Sequence, residues 1–253
     1  MNLDIQNANM WKRISAWMFD GILLAILAVC FGMILSLAVG YDRYDKALDE
    51  CYDKYEALYD MSFDITQEEY AALSSQDLQR YDEAAAAISA DEEAIYLFNM
   101  LVRLMLVIIT VALLLAHLVL EFAVPLWLKN GQTLGKKIFG VALMRCNFVE
   151  VNTVTLFIRT VLGKFTIETM IPVLVCCMVF AGTIGIVGPG IVGLLLLAQA
   201  LLLAMTPNRT PIHDCLATTV AVDLASQRIF PSEEAVLEYK KRIAAEKAAK
   251  QVY

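Results

Sequence analysis

The first apolar stretch constrains this chain most, because it is long enough to cross a lipid bilayer. It runs from Ile14 to Val39, and about 20 apolar residues span the hydrocarbon core. Lys12 and Arg13 precede it, which predicts a cytoplasmic N-terminus. Asp20 lies inside the stretch, on the same helical face as Arg13, and a carboxylate at such depth usually faces a partner or a wet cavity. A retained membrane helix with a polar feature is predicted, because the stretch is too long for a cleaved signal peptide.

Three further apolar runs complete the predicted fold, an α-helical integral membrane protein with about four transmembrane helices. They are Met100–Leu128, Phe165–Ala181 and Ile186–Met205, in a chain that is 59% hydrophobic. The stretch Gly182–Gly190 separates the last two. We interpret it as a turn outside the membrane, which makes both termini cytoplasmic; a re-entrant break is the alternative.

The charges of the chain are segregated, and this segregation predicts orientation. Residues 40–98 hold sixteen acidic and four basic side chains, whereas residues 129–164 hold six basic ones against Glu150 alone. The positive-inside rule places the acidic insert outside and the basic loop in the cytoplasm, without any nucleic-acid ligand. Capping boxes at Thr66/Glu69 and Ser89/Glu92 predict a helical extracytoplasmic insert. It lacks a calcium-loop motif, so we interpret it as a solvated acidic cap.

The composition shifts divide the chain into four segments. Residues 1–40 form the N-terminus and first transmembrane helix, and residues 41–98 form the acidic, tyrosine-rich insert. Residues 99–225 form the membrane core, with the later spans and the cytoplasmic loop. Residues 226–253 form a charged cytoplasmic helical tail.

The second predicted span carries two titratable residues on one face, His117 and Glu121, which are four positions apart. Glu121 lies deep enough in the span to require a partner. Two interpretations stay open. Glu121 either forms a hydrogen bond that packs two helices together, or it takes part in a cation or proton relay with Asp20 and His117.

The loop after the second span carries the motif Gly131-x-Thr133-x-Gly135-Lys136. It is one residue short of a phosphate-binding loop and follows a membrane helix instead of a strand, so we reject nucleotide binding. Residues 138–145 and 148–155 predict a small cytoplasmic β-hairpin. Residues 156–164, with Arg159 and Lys164, predict a short helix on the lipid headgroups, and Glu168 is expected to pair with Lys164.

The pair His213 and Asp214 follows the fourth span. A histidine beside an aspartate suggests hydrolysis, but no nucleophile elbow of the G-x-S-x-G kind accompanies it. The six cysteines show no zinc spacing. We therefore predict no enzyme activity, no cofactor and no metal.

Three stretches together resemble the RDD family of multi-span bacterial membrane proteins. Residues 13–20, RISAWMFD, resemble the family's R-x-x-A-x-x-x-D, and residues 131–137, GQTLGKK, resemble its G-x-T-x-G-K-R. Residues 212–219, IHDCLATT, are similar to its L-H-D-x-L-A-G-T. The resemblance implies that Arg13, Asp20 and Asp214 are the signature residues. The long acidic insert departs from the family's pattern, and so does Thr218, which stands where glycine is usual.

The resemblance implies a plasma-membrane protein, and some members of the family are regarded as sodium/proton antiporters. Exchange would use Asp20, Glu121 and His117 as a cation and proton relay, with His213 and Asp214 as an inner gate. Four spans are few for a transporter, so this hypothesis implies a homo-oligomer in the bilayer. The alternative is a membrane scaffold, in which Arg13, Asp20 and Asp214 form a structural cluster and the insert binds a protein partner.

Overall fold

A computed structural model describes residues 4–128 and 131–251. Lys129 and Asn130, which entered the charge and loop predictions, lie outside the described residues. By the packing of its Cα atoms the chain divides into two compact units, Met1–Ala28 with Leu113–Tyr253, and Val29–Ala112. The division into four segments remains a prediction.

Within the described residues, four helical stretches are long and apolar enough to cross a membrane, as predicted. They are Met10–Val39, Glu92–Leu128, Thr153–Phe180 and Val187–Met205. The first is a single helix, α1 (Met10–Val39). The second comprises α5 (Glu92–His117), a first π-helix (Leu118–Ala123) and α6 (Val124–Leu128). Such runs are stable in a bilayer because a helix pairs its own backbone groups where water is absent.

The unit Val29–Ala112 contains the acidic insert as three helices. They are α2 (Tyr41–Tyr59), α3 (Gln67–Ala72) and α4 (Ser75–Ala90). Cys51 of α2 and Ile88 of α4 belong to one small apolar core. The capping box of Thr66 and Glu69 is confirmed.

The capping box predicted at Ser89 is wrong, because this residue still lies within α4. Its hydroxyl donates to the carbonyl of Ala85 at 2.6 Å. Asp91 caps α5 instead, and its carboxylate accepts the backbone N–H of Glu93 at 2.8 Å. Aspartate is a strong N-cap residue, and here it stands directly before the helix.

The other unit contains the small antiparallel sheet, but with a different partner strand from the one predicted. β1 (Val141–Arg145) pairs with β2 (Thr219–Asp223), from Val141 opposite Asp223 to Arg145 opposite Thr219. The residues after β1 do not form the second strand of a hairpin. Asn152 caps α8 (Thr153–Phe157) by accepting the N–H of Thr155 at 2.8 Å, so the chain turns into a helix after only isolated bridges.

The third span begins earlier than predicted and includes the segment expected on the headgroups. Its elements are α8, a second π-helix (Ile158–Met170) and α9 (Ile171–Phe180). The prediction of an interfacial helix is wrong for Arg159, which is only 2% exposed. Carboxylates of neighbouring elements stabilise its charge inside the protein, so it does not need the headgroup region.

The last two apolar runs form a helical hairpin. α10 (Val187–Met205) packs against α9, and a side chain on Gly188 would collide with Val179. The chain continues through α11 (Ile212–Ala217) and β2 to α12 (Glu233–Gln251). Ser232 accepts the N–H of Ala235 at 3.3 Å, which agrees with the predicted start of the tail helix.

Candidate functional site

Asp20 joins α1 to the loop motif through two hydrogen bonds. The loop helix α7 (Leu134–Ile138) starts at Thr133, whose hydroxyl donates to Asp20 Oδ2 at 2.5 Å. The backbone N–H of Gly135 donates to Asp20 Oδ1 at 2.8 Å. Both oxygens of a buried carboxylate are thus satisfied, which a carboxylate removed from water requires.

The glycines of the loop motif are explained by close approaches. A Cβ on Gly135 would collide with the Ala16 carbonyl and lie 2.9 Å from Asp20 Cγ. Gly131 has φ +61°, and a Cβ there would lie 2.5 Å from Val151 Cγ2. Only glycine lets α7 approach α1 closely enough for the bonds to Asp20.

A buried ion-pair network joins the second span, the third span and α11. Arg159 Nε donates to Asp214 Oδ1 at 2.8 Å, and its Nη1 donates to Glu121 Oε2 at 3.4 Å. Lys164 forms an ion pair with the other oxygen of Glu121. Thr219 donates its hydroxyl to Asp214 at 2.8 Å. Two carboxylates and two cations therefore neutralise one another within the protein.

The pKa of Asp214 reflects this network. Burial alone would raise the pKa of Asp214, but the surrounding positive charges, that of the Arg159 guanidinium first, together more than compensate and leave the pKa below the usual range of an aspartate. Asp214 is therefore ionised near neutral pH. Its role in the geometry is to anchor α11 to the second π-helix.

A second polar group surrounds Glu168. His213 Nδ1 lies 2.8 Å from both oxygens of Glu168, and Gln199 donates its amide to Oε1 at 3.1 Å. Burial lowers the pKa of His213 and outweighs the opposite effect of Asp214. Through its contact with Glu168, His213 joins α11 to the third span.

The two π-helices carry most of the charged residues of these two polar groups. Glu121 lies in the first, and Arg159, Lys164 and Glu168 lie in the second. Thr160 of the second donates to the backbone carbonyl of Glu121 at 2.9 Å. π-helical turns occur frequently at functional sites, since the extra residue per turn re-aims side chains.

These groups line a cavity of about 680 Å³. Asp20, Glu121, Glu168 and Asp214 contribute carboxylates to its wall, and α1 and α10 contribute apolar side chains. Lys136 also lines it, although its Nζ has no hydrogen-bond partner among residues 4–128 and 131–251. Burial, assisted by the positive charge of Arg159, lowers the pKa of Lys136 to about 7.

The cavity brings together the three residues of the predicted relay, although no hydrogen bond joins them to one another within the described residues. Asp20, Glu121 and His117 all line it. His117 Nδ1 donates to the Leu113 carbonyl at 2.8 Å, and Nε2 lies 3.3 Å from the Thr169 hydroxyl. The three relay residues thus share a cavity, and each has its own hydrogen-bond partners.

The signature residues line one cavity but form no hydrogen bond or salt bridge with one another in the described part of the chain. Asp20 bonds to the loop and Asp214 to Arg159, while Arg13 lines the cavity and forms no salt bridge within the described part of the chain. The pairing expected between Lys164 and Glu168 is wrong, because Lys164 pairs with Glu121 and Glu168 with His213.

The sequence predicts Arg159 at the membrane surface and indicates no role for Lys136 beyond the loop motif. The burial of Arg159 could have been predicted, since an arginine directly before a long apolar run can form an ion pair with an intramembrane carboxylate such as Glu121. The sequence held no comparable signal for Lys136, whose burial depends on the docking of α7 against α1.

The fold and the site define a multi-span α-helical membrane protein with a buried polar network. The sequence profile of the RDD family matches residues 7–218 of the chain. The chain belongs to the RDD family. Neither the curated proteins nor the solved structures include a significant match to the chain.

Proposed function

We propose that the membrane core exchanges a monovalent cation for a proton at the ion pair of Glu121 and Lys164. The observation that carries the proposal is a cavity lined by four carboxylates, in which one of them, Glu121, is paired with a lysine. A carboxylate inside a membrane span is a functional-site hypothesis by default, and cation pathways use such residues.

Competition for Glu121 supplies the coupling step. A cation that binds the Glu121 carboxylate takes the place of the Lys164 ammonium at that carboxylate. Lys164 releases its proton to the cavity, and the pair remains neutral with the cation in place. One cation therefore replaces one proton, and the reverse order completes the exchange.

The test is cation-driven proton movement in proteoliposomes, followed with a pH-sensitive dye during pulses of sodium, potassium and lithium. Wild type is expected to respond, and Glu121→Gln is expected to be inactive. Lys164→Arg is the sharper variant, because arginine keeps the ion pair but does not release its proton. It is expected to fold and to give no response, whereas the control Lys137→Arg, at an exposed position, responds like wild type.

A membrane scaffold is the second candidate function. It is favoured because the buried carboxylates of the site already have partners. Glu121 contacts two cations, Asp214 contacts Arg159, and Asp20 accepts two hydrogen bonds. Such a network fixes the relative positions of the elements that it joins without moving any ion. A flat dye trace from folded, inserted wild type would reject exchange of these cations in favour of the scaffold.

We further propose the setting in which either function operates. The protein resides in the cytoplasmic membrane, has no enzyme activity, and works as a homo-oligomer, because four spans from one chain provide few helices to enclose an ion path. The acidic insert is the surface for a protein partner. Crosslinking of the protein in intact membranes tests both associations: a dimer or larger species is expected, and only monomer would contradict the oligomer.

A further inference from the structure

The ammonium group of Lys136 has no role in either of the two proposed functions, ion exchange and scaffold. Lys136 is only 8% exposed, and its Nζ has no hydrogen-bond partner in the described part of the chain. Burying a charged group without a partner is unfavourable, so such a group either loses its proton or receives a ligand of opposite charge.

The carboxylates around Lys136 are committed to other partners. Glu121 pairs with Arg159 and Lys164, and Asp214 pairs with Arg159. Asp20 bonds to Thr133 and Gly135, and Glu168 bonds to His213. Because these carboxylates are already neutralised or hydrogen-bonded, none of them completes the shell of Lys136.

Arg13 lines the same cavity and also forms no salt bridge within the described ranges. Two cationic residues that lack a salt bridge among those residues, Arg13 on α1 and Lys136 on the loop helix α7, therefore line one cavity. Paired lysine and arginine groups in a water-poor site bind phosphate or carboxylate oxygens by charge-assisted hydrogen bonds.

Beside the charged and polar residues, α1 and α10 contribute an apolar part of the cavity wall, and this part determines the remainder of the ligand. Its apolar side chains come from α1 and α10 and are Ile14, Trp17, Leu24, Val192, Leu195, Leu196 and Leu203. A small inorganic anion would leave this wall without contacts. The cavity volume of about 680 Å³ is in the range of small-molecule sites.

We propose that this cavity binds an anionic membrane lipid, with its acidic headgroup at Lys136 and Arg13 and part of an acyl chain along α1 and α10. The bilayer is the source, because both helices are candidate membrane spans. Trp17 is 69% and Leu196 66% exposed while both also line the cavity, so a chain has a lateral route from the hydrocarbon. The proposal does not depend on ion exchange.

Native mass spectrometry of the delipidated protein tests the site, with phosphatidylglycerol and phosphatidylcholine of identical chains as probes. Wild type is expected to retain one phosphatidylglycerol in preference to phosphatidylcholine. Lys136→Gln is expected to lose at least about tenfold in affinity for phosphatidylglycerol, the effect of one charge-assisted hydrogen bond. Lys136→Arg and the exposed neighbour's variant Lys137→Gln are expected to bind like wild type.

Equal retention of the two lipids by wild type would overturn the proposal. Unchanged phosphatidylglycerol binding by Lys136→Gln would also overturn it. Inorganic phosphate distinguishes the sources of the anion. Displacement of phosphatidylglycerol by millimolar phosphate, with no dependence on chain length, would identify a free-anion site and overturn the lipid assignment.

Discussion

Thr133 donates a 2.5 Å hydrogen bond to Asp20, a residue 113 positions earlier in the chain. The bond joins two of the three motifs that resemble the family's pattern, and it gives the first aspartate a structural partner. The Gly135 N–H completes the arrangement from the same short helix.

A double-mutant cycle measures this bond. Asp20→Asn and Thr133→Val are each expected to lower the free energy of unfolding by about 1–3 kcal/mol, because each leaves a buried group unpaired. The double variant should lose less free energy of unfolding than the sum of the two single variants. Additive losses in thermal unfolding in detergent would contradict a direct interaction.

Under either proposed function, Asp20→Asn is expected to insert into the membrane and to be inactive.

The close packing around Gly135 predicts that a methyl group at this position destabilises the protein. Gly135→Ala is expected to destabilise the protein by about 1–3 kcal/mol, because the Cβ would overlap the Ala16 carbonyl and push against Asp20. Gly21→Ala is the matched control, since nothing lies within 4 Å of its added Cβ. It should be neutral or slightly stabilising in the same unfolding assay. Equal effects of the two variants would reject the close contact.

Arg159 is expected to be the most sensitive cation of the site. Arg159→Met removes the partner of Asp214 and one partner of Glu121, and breaking a buried pair on one side costs about 3–5 kcal/mol. Arg242→Met, in an exposed ion pair with Glu246, should cost less than about 1 kcal/mol. Comparable melting temperatures for the two variants would show that the buried network contributes little.

The lowered pKa of Lys136 predicts that the stability of the protein increases with pH. Its pKa is about 7 when folded and near 10.5 when unfolded, so between these values the folded state binds fewer protons. The free energy of unfolding therefore rises with pH across this window, on the order of a few kcal/mol in total, and the penalty is fully present below pH 7.

Unfolding of the delipidated protein across that pH window checks this expectation. Lys136→Met should remove the Lys136 contribution and give a flatter profile than wild type, while Lys137→Met should retain the wild-type profile. Parallel profiles for wild type and Lys136→Met would show that the lysine is protonated in both states.

Thr218 offers a stabilising substitution. It adopts φ +52° at the end of α11, a left-handed conformation that is unfavourable for a β-branched residue and is commonly occupied by glycine. Thr218→Gly is expected to stabilise the protein by about 1 kcal/mol. Thr218→Ala keeps a Cβ and should gain much less, so equal gains from the two would exclude relief of backbone strain.

The membrane architecture of this protein follows from local properties of its amino-acid sequence. Runs of apolar residues such as Ile14–Val39 define spans because the free energy of transfer into a bilayer depends on local composition and length. The cap at Thr66 and the start of the tail helix at Ser232 followed from local hydrogen-bonding rules for the same reason. The arrangement of three short motifs indicated the family.

The partners of the charged residues, by contrast, depend on how distant segments of the chain pack together. Arg159 lies 38 residues from Glu121 and 55 from Asp214, and the partner of β1 is a strand that follows the last span. Such pairs depend on which helices pack together, and local periodicity contains no information about that choice. For this reason Asp20 and Glu121 could be predicted as buried carboxylates needing partners. The burial of Lys136, whose Nζ lacks a hydrogen-bond partner in the described part of the chain, depends on the same packing and could not be predicted.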